Sequence, residues 1–283
     1  MADNEPAAAS GSAAADRAQR GIDPDGPDLT VALVLAVAIV AVPTVALGVV
    51  VFALLPVPWW IGVVIGLMVA AAVVWHRLRT ADRIVLSGVG GDLLHADGRV
   101  RLENLVDSLS LAGGVERPDV VVLSDRARNA MAVRAGGRNH LVVTQGLLER
   151  LEVVELEGVV AELLTRLRNG DAESATVGAA LFGFPILDGP LRPLLGPVAR
   201  LGLGRLLRED RDLEADRQAV TLTRYPPGLL GALKTIADGE VQPAASTGGL
   251  APLWLVDPLA GRSEHVDKDR APLGLRIDVL AEL

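Results

Sequence analysis

Two uncharged apolar runs near the N-terminus limit what this chain can fold into more than any other feature. Leu29 to Leu55 is 27 residues without a charge, and Val57 to Trp75 is another 19. As helices, each is long enough to cross ~30 Å of hydrocarbon. A pair of buried soluble helices would instead need a domain large enough to surround them on every side. Pro56-Val57-Pro58 is the only break, so the two runs predict a tight membrane hairpin over residues 29–76. Trp59 and Trp60 open the second span and Trp75 closes it, where indoles settle at the two headgroup layers. Pro43 is expected to kink the first span. Arg17 and Arg20 precede the hairpin, Arg77, Arg79 and Arg83 follow it, and the turn has none. That asymmetry predicts a multi-pass protein of the inner or plasma membrane, with both ends and the following domain cytoplasmic.

Before the hairpin, residues 1–28 are Ala, Ser, Gly and Asp with little to bury, and they read as a disordered tail that lacks the basic start of a signal peptide. The absence of Cys excludes disulfide scaffolds, thiolate metal sites and thiol nucleophiles. A net charge of −8 argues against a broad nucleic-acid-binding surface. Lys234 and Lys268 are the only lysines among 27 basic residues, an arginine bias that points to a GC-rich bacterial gene.

Residues 77–283 read as one cytosolic domain of mixed helix and strand. Leu102, Leu105, Val106 and Leu109 fall at helical spacing, and Gly113-Gly114 ends that helix. Asp119 to Leu123 is a β-branched strand, and Ala130–Arg134 and Leu141–Thr144 flank Gly136-Gly137 as a hairpin. Leu156, Val159, Val160, Leu163, Leu164 and Leu167 mark a helix closed by Asn169-Gly170. Further helices are expected at Asp212–Thr223, after Pro226-Pro227, and from Pro272 onward. A third apolar stretch, Ala175–Leu187, is too short to span and reads as an interfacial or core segment, with a second hairpin over Ala175–Leu207 as the alternative.

Several strings, in order, resemble the HtpX-type membrane zinc metalloproteases, relatives of the CAAX prenyl proteases. They are Arg128-Asn129-Ala130-Met131-Ala132, Leu141 to Leu148, Glu155 to Ala161, Arg211 to Arg217, Trp254 to Leu259 and Pro272 to Ile277. The resemblance implies an α+β fold: a transmembrane helical hairpin followed by a mostly helical, zincin-like domain with a small sheet. It also implies zinc as cofactor, unfolded polypeptide as substrate and a place in protein quality control.

The motif that carries the family's chemistry is absent. In the family, Gly-Val-Val-Ala continues as His-Glu-x-x-His, two imidazoles one turn apart that reach one zinc ion while the Glu activates its water. Here the stretch reads Glu162-Leu163-Leu164-Thr165-Arg166. By resemblance, Glu162 and Arg166 fall on the two ligand positions, Leu163 on the general base, Asp212 on the third ligand and Asp216 on the Asp that closes that motif. Arginine is not deprotonated in proteins, so Arg166 would place a fixed positive charge where a dication should sit. A leucine cannot take the proton of a metal-bound water. No zinc and no catalytic residue are therefore expected. Two arrangements remain open: Glu162 and Arg166 form an exposed i,i+4 pair with Asp212 elsewhere, or Arg166 bridges both carboxylates in the former metal cavity.

The four histidines, His76, His95, His140 and His265, are at least 19 positions apart and supply no chelating pair. His140 is expected on a strand as a solvent-facing or hydrogen-bonded side chain. Glu264, His265, Asp267 and Asp269 read as a solvated charge run. Gly88-x-Gly90-Gly91 follows an expected short strand but lacks the rest of a dinucleotide fingerprint.

The expected function is a membrane-anchored, catalytically inactive pseudopeptidase whose partners are the bilayer and an unfolded or extended polypeptide or protein. In the relatives, the strand with the Asn-Ala-x-Ala string pairs with substrate, so Asn129, Ala130, Met131 and Ala132 are the expected binding edge. Two alternatives stand beside it: an active endopeptidase with rearranged metal ligands, and a structural or regulatory subunit of a membrane protease complex.

Overall fold

The computed structural model describes residues 29–54, 58–89, 98–187, 192–207, 210–260 and 270–283. The expected tail, the turn at Pro56, the glycines at 90 and 91, His95 and the 264–269 charge run lie outside the described residues. Helix α1 (Leu29–Ala53) and helix α2 (Trp60–Arg79) are both long and apolar enough to cross a membrane. They approach closely because small residues line the contact: Gly48 meets Gly62, and a Cβ on Gly66 would lie 2.7 Å from the Cα of Val45. The Thr44 hydroxyl donates across to the Gly66 carbonyl at 3.1 Å. Pro43 sits inside α1 without ending it.

Helix α3 (Ala81–Val89) follows directly, where a short strand was expected before Gly88. Its buried residues, Ala81, Asp82, Val85 and Val89, recur at one helical turn, and that period wins over the β-branched composition. Helix α4 (Arg99–Gly113) ends at Gly114, whose φ of 64° is the left-handed cap that glycine accepts without strain.

The sheet has strand order β1-β3-β2, with β1 (Asp119–Leu123) parallel to β3 (Arg138–Thr144), and β2 (Ala130–Ala135) antiparallel to it. Gly136 and Gly137 both take positive φ, as a two-residue hairpin turn requires. Period-two alternation sorts the side chains between two cores. Ala130, Ala132, Leu141 and Val143 join the cluster around helix α6, whereas Met131, Val133 and Val142 join a second cluster.

Helix α5 (Gln145–Arg150) leads into α6 (Val153–Asn169), the central helix. A reciprocal capping box between Glu152 and Glu155 starts α6, and Gly170 at φ 82° closes it. Leu156, Val159, Val160, Leu163, Leu164 and Leu167 are all buried, so the expected apolar stripe is present and is covered on several sides. Helix α7 (Asp171–Gly178) continues as a π-helical stretch, Ala179–Leu187, and helix α8 (Arg192–Leu206) packs back on it and on α1. The segment is thus helical over 175–187 and 192–206 and lies against the apolar hairpin, with Arg77 donating to the Ala180 carbonyl at 2.9 Å. Helices α9 (Arg211–Thr223), α10 (Pro226–Ala237) and α11 (Leu273–Ala281) complete the α+β fold around α6.

Candidate functional site

The site forms where α6, α9 and the C-terminal segment meet. On α6, Glu162 and Arg166 are one turn apart; on α9, Asp212 and Asp216 are one turn apart. All four are buried, which settles the open question of the i,i+4 pair: it is internal, and Asp212 is part of it. Arg166 donates from Nε to Glu162 Oε1 at 2.7 Å and from Nη2 to Asp212 Oδ1 at 2.8 Å. Two further arginines complete the cluster. Arg270 Nε donates to Asp212 Oδ2 at 2.7 Å. Arg276, on α11, grips Asp216 with Nε to Oδ2 at 2.8 Å and Nη2 to Oδ1 at 2.7 Å, the forked geometry that a lysine cannot supply. Its Nη2 also lies 3.4 Å from Glu162 Oε1.

Three carboxylates therefore face these three guanidiniums in the interior, and the buried Arg211 adds a further positive charge that acts on Asp212. Burial alone would raise Asp212, but the Arg270 and Arg166 charges override it and hold the carboxyl well below the usual range. For Glu162, burial dominates the attraction of Arg166 and Arg276 and pushes its carboxyl up. Among the described residues its Oε2 has no hydrogen-bond partner. Arg276 is lowered by burial and raised more by Asp216, so it is held firmly charged.

The metal implied by the resemblance does not fit this donor set. Both oxygens of Asp212 and both of Asp216 already accept from guanidiniums, and Arg166 lies between the Glu162 and Asp212 carboxylates. A dication there would sit against fixed positive charge. Among the described residues, no group of three or more His, Cys, Asp or Glu is placed to hold a metal ion. Leu163 is fully buried in the apolar cluster around α6. What the arrangement does supply is a set of hydrogen-bond donors for carbonyl oxygens.

Those donors are in use. The Trp254 carbonyl accepts from Arg270 at 2.6 Å and Arg166 at 3.3 Å, and the Leu255 carbonyl from Arg276 at 2.6 Å and Arg270 at 2.7 Å. The same segment pairs with β2: the Leu255 N–H donates to the Ala130 carbonyl at 2.6 Å, and Trp254 stands opposite Met131 as an antiparallel bridge. Asn129 reads the next peptide unit on both sides, accepting from the Val256 N–H at 3.2 Å and donating to the Val256 carbonyl at 2.7 Å. Farther along, the Arg134 N–H donates to the Thr176 hydroxyl at 3.2 Å. The expectation of an open edge at Asn129 to Ala132 is thus corrected. These residues do line the site, yet they are buried and the chain's own 254–256 segment lies on them.

Of the other sequence candidates, His140 is nearly buried between Asp82 and Asp119, 3.7 Å and 3.8 Å from their oxygens, and His76 is exposed at the end of α2. Two site residues escaped sequence reasoning. Arg276 lay within the Pro272–Ile277 string without an assigned role, and Arg270 adjoined a charge run that reads as solvated.

No family model and no solved structure matches the chain. Curated relatives do. It is 28% identical over 247 residues to a protease HtpX homologue of Dictyoglomus thermophilum, covering 76% of this chain and 80% of that one. A protease HtpX homologue of Dictyoglomus turgidum is 29% identical over 234 residues, 72% of this chain and 75% of the relative. One from Ligilactobacillus salivarius is 26% identical over 255 residues, with 78% and 86% covered. Similarity to these HtpX protease homologues thus runs through about three quarters of this chain and of the relatives themselves.

Proposed function

We propose that this chain is a membrane-anchored HtpX-family member that does not hydrolyse peptides and works by binding a protein partner or an extended polypeptide. The observation that carries this reading is the buried network of Arg166, Arg270 and Arg276 with Glu162, Asp212 and Asp216. Peptide hydrolysis at such a site needs a metal or another electrophile to polarise the carbonyl, and a base to activate water. Guanidiniums can donate to a carbonyl oxygen. At the position of the general base Leu163 is aliphatic, and both oxygens of Asp212 are engaged by guanidiniums. The α1–α2 hairpin serves as the bilayer anchor, with the domain on the cytoplasmic side.

The test is metal content and cleavage measured together on detergent-solubilised full-length protein. The expected result is well below one divalent ion per chain and no degradation of casein as an unfolded substrate. One tightly held ion per chain, with chelator-sensitive cleavage that Asp212→Asn abolishes, refutes the reading and supports an endopeptidase with rearranged ligands. The coverage of β2 by residues 254–256 favours a second reading, a structural or regulatory subunit that meets its partner on an outer surface. Co-purification of a stoichiometric protease from native membranes is the result that reading requires.

A further inference from the structure

A cavity of about 570 Å³ opens where β1 and β3 end, lined by Arg126, Arg128 and Arg150 together with Asp125, Glu149 and Gly146. The two strands are adjacent and parallel, so the chain leaves both at the same end, and exits from the carboxyl ends of parallel strands leave a crevice in which ligands bind. Here the exits are clasped. The Gly146 N–H donates to the Asp125 carbonyl at 2.8 Å, and a Cβ at 146 would collide with the Arg126 carbonyl, so the approach requires glycine. The acids beside these arginines do not pair with them. Asp125 accepts from the Ala127 N–H and the Ala244 N–H, both at 2.8 Å, and Glu149 accepts from the Gln145 amide at 2.6 Å. Arg126 and Arg150 are exposed and have no ion pair or hydrogen bond among the described residues. Arg128 is held in place: its Nη1 donates to the Thr235 carbonyl at 2.8 Å, and its stem lies over Gly239, where a Cβ would come within 2.6 Å of it. Among the described residues, no apolar side chain lines the cavity.

We propose that this cavity binds a soluble polyphosphate group, held by the guanidiniums of Arg126, Arg128 and Arg150. Guanidinium forks match the oxygens of a phosphoryl group two at a time, and three of them around one space exceed what a single carboxylate can use. A lining without apolar side chains suits a compact, highly charged ligand, whereas pockets for organic molecules are mostly apolar. Position separates a soluble ligand from a lipid headgroup. The far end of the sheet adjoins the anchor, since a Cβ on Gly136 would lie 3.5 Å from the Arg79 carbonyl at the end of α2. From that turn β3 runs seven residues to the cavity, about 20 Å at ~3.3 Å each. Headgroups extend only roughly 5–8 Å beyond the hydrocarbon. The site shares no residue with the buried network around Arg166, so it stands whether or not the protein cleaves peptides.

Titration calorimetry of the full-length protein in detergent, with sodium tripolyphosphate at constant ionic strength, tests this. Binding of one molecule per chain is expected, with Arg126→Gln and Arg150→Gln each weakening it about tenfold, the effect of losing one charge-assisted hydrogen bond. Neither side chain has a partner among the described residues to lose, so both variants should melt as wild type does. Absence of binding to wild type, or equal affinity of the folded double variant, overturns the proposal. Citrate should bind at least about tenfold more weakly than tripolyphosphate, and equal affinity would reduce the site to undirected charge attraction and overturn it as well. Short-chain phosphatidylglycerol should leave bound tripolyphosphate in place; displacement would assign the cavity to a lipid headgroup and overturn the soluble ligand. Should a variant not fold, the wild-type comparison with citrate and the lipid decides alone.

Discussion

Replacing Arg166 by alanine probes the buried charge network most directly. The substitution removes a guanidinium 2.7 Å from Glu162 and 2.8 Å from Asp212, together with a 3.3 Å bond to the Trp254 carbonyl. Asp212 keeps Arg270 at 2.7 Å, and among the described residues Glu162 keeps Arg276 at 3.4 Å. Removing one partner of a buried ion pair costs about 3–5 kcal/mol. The lower end applies here, because Glu162 can escape by taking a proton that burial already favours. A loss of about 3 kcal/mol lowers Tm by roughly 6–12 °C in a domain of this size. Thermal melts in detergent read the effect, and the sign of its pH dependence checks the cause. Glu162 is raised in the folded state, and further so without Arg166. Its contribution is therefore intact at low pH and lost as pH rises through the folded value, so the penalty should grow as pH rises above the ordinary glutamate value of 4.5. Adding Glu162→Gln should relieve part of the loss, giving a coupling energy of about 0.5–3 kcal/mol. A Tm change below about 2 °C would match an exposed i,i+4 pair worth about 0.2–0.5 kcal/mol and would refute the reasoning.

Three further outcomes follow from other contacts. Asp212 is held below its ordinary value, so it stabilises the fold above the unfolded value near 3.8 and that support fades as pH falls further. Denaturant titrations should therefore show the gap between wild type and Asp212→Asn narrowing below about pH 4, whereas a constant gap contradicts it. The triple variant Glu162→His, Leu163→Glu and Arg166→His should remain metal-poor by elemental analysis, because Arg270 still engages Asp212; one zinc per chain in that triple would refute the account. In the α1–α2 hairpin, Gly66→Val forces a Cβ to 2.7 Å from the Val45 Cα and should cost about 1–3 kcal/mol in a detergent melt, whereas Gly204→Ala on α8, which meets nothing within 4 Å, should cost far less. Equal losses for the two variants would mean that close helix packing is not what Gly66 provides.

The parts of this molecule legible in the sequence are those whose physics is local. The uncharged runs became α1 and α2, the Gly136-Gly137 pair became a turn with two positive φ values, and the stripe from Leu156 to Leu167 became the central helix. Glu162, Arg166 and Asp212 could be named because resemblance placed them, but their burial depended on α9 packing against α6, which no window of sequence contains. Arg270 and the 254–256 segment were out of reach for the same reason in stronger form. The bond from Asn129 to Val256 joins residues 127 positions apart, and a covered strand edge reads the same as an open one. At Ala81–Val89 the error was one of period: β-branched residues drew attention from a buried face that repeats every four.

Because Arg276 lies on α11, 114 positions after Glu162, the polar interior cannot be neutralised until synthesis has passed that helix. During translation Glu162, Asp212 and Asp216 exist for a time without their full complement of arginines, and contacts of such long sequence separation form late. The α1–α2 hairpin, by contrast, precedes all of these residues and joins two consecutive helices. A chain ending before α11 would still pair α1 with α2, yet would leave Asp216 without the guanidinium that grips it.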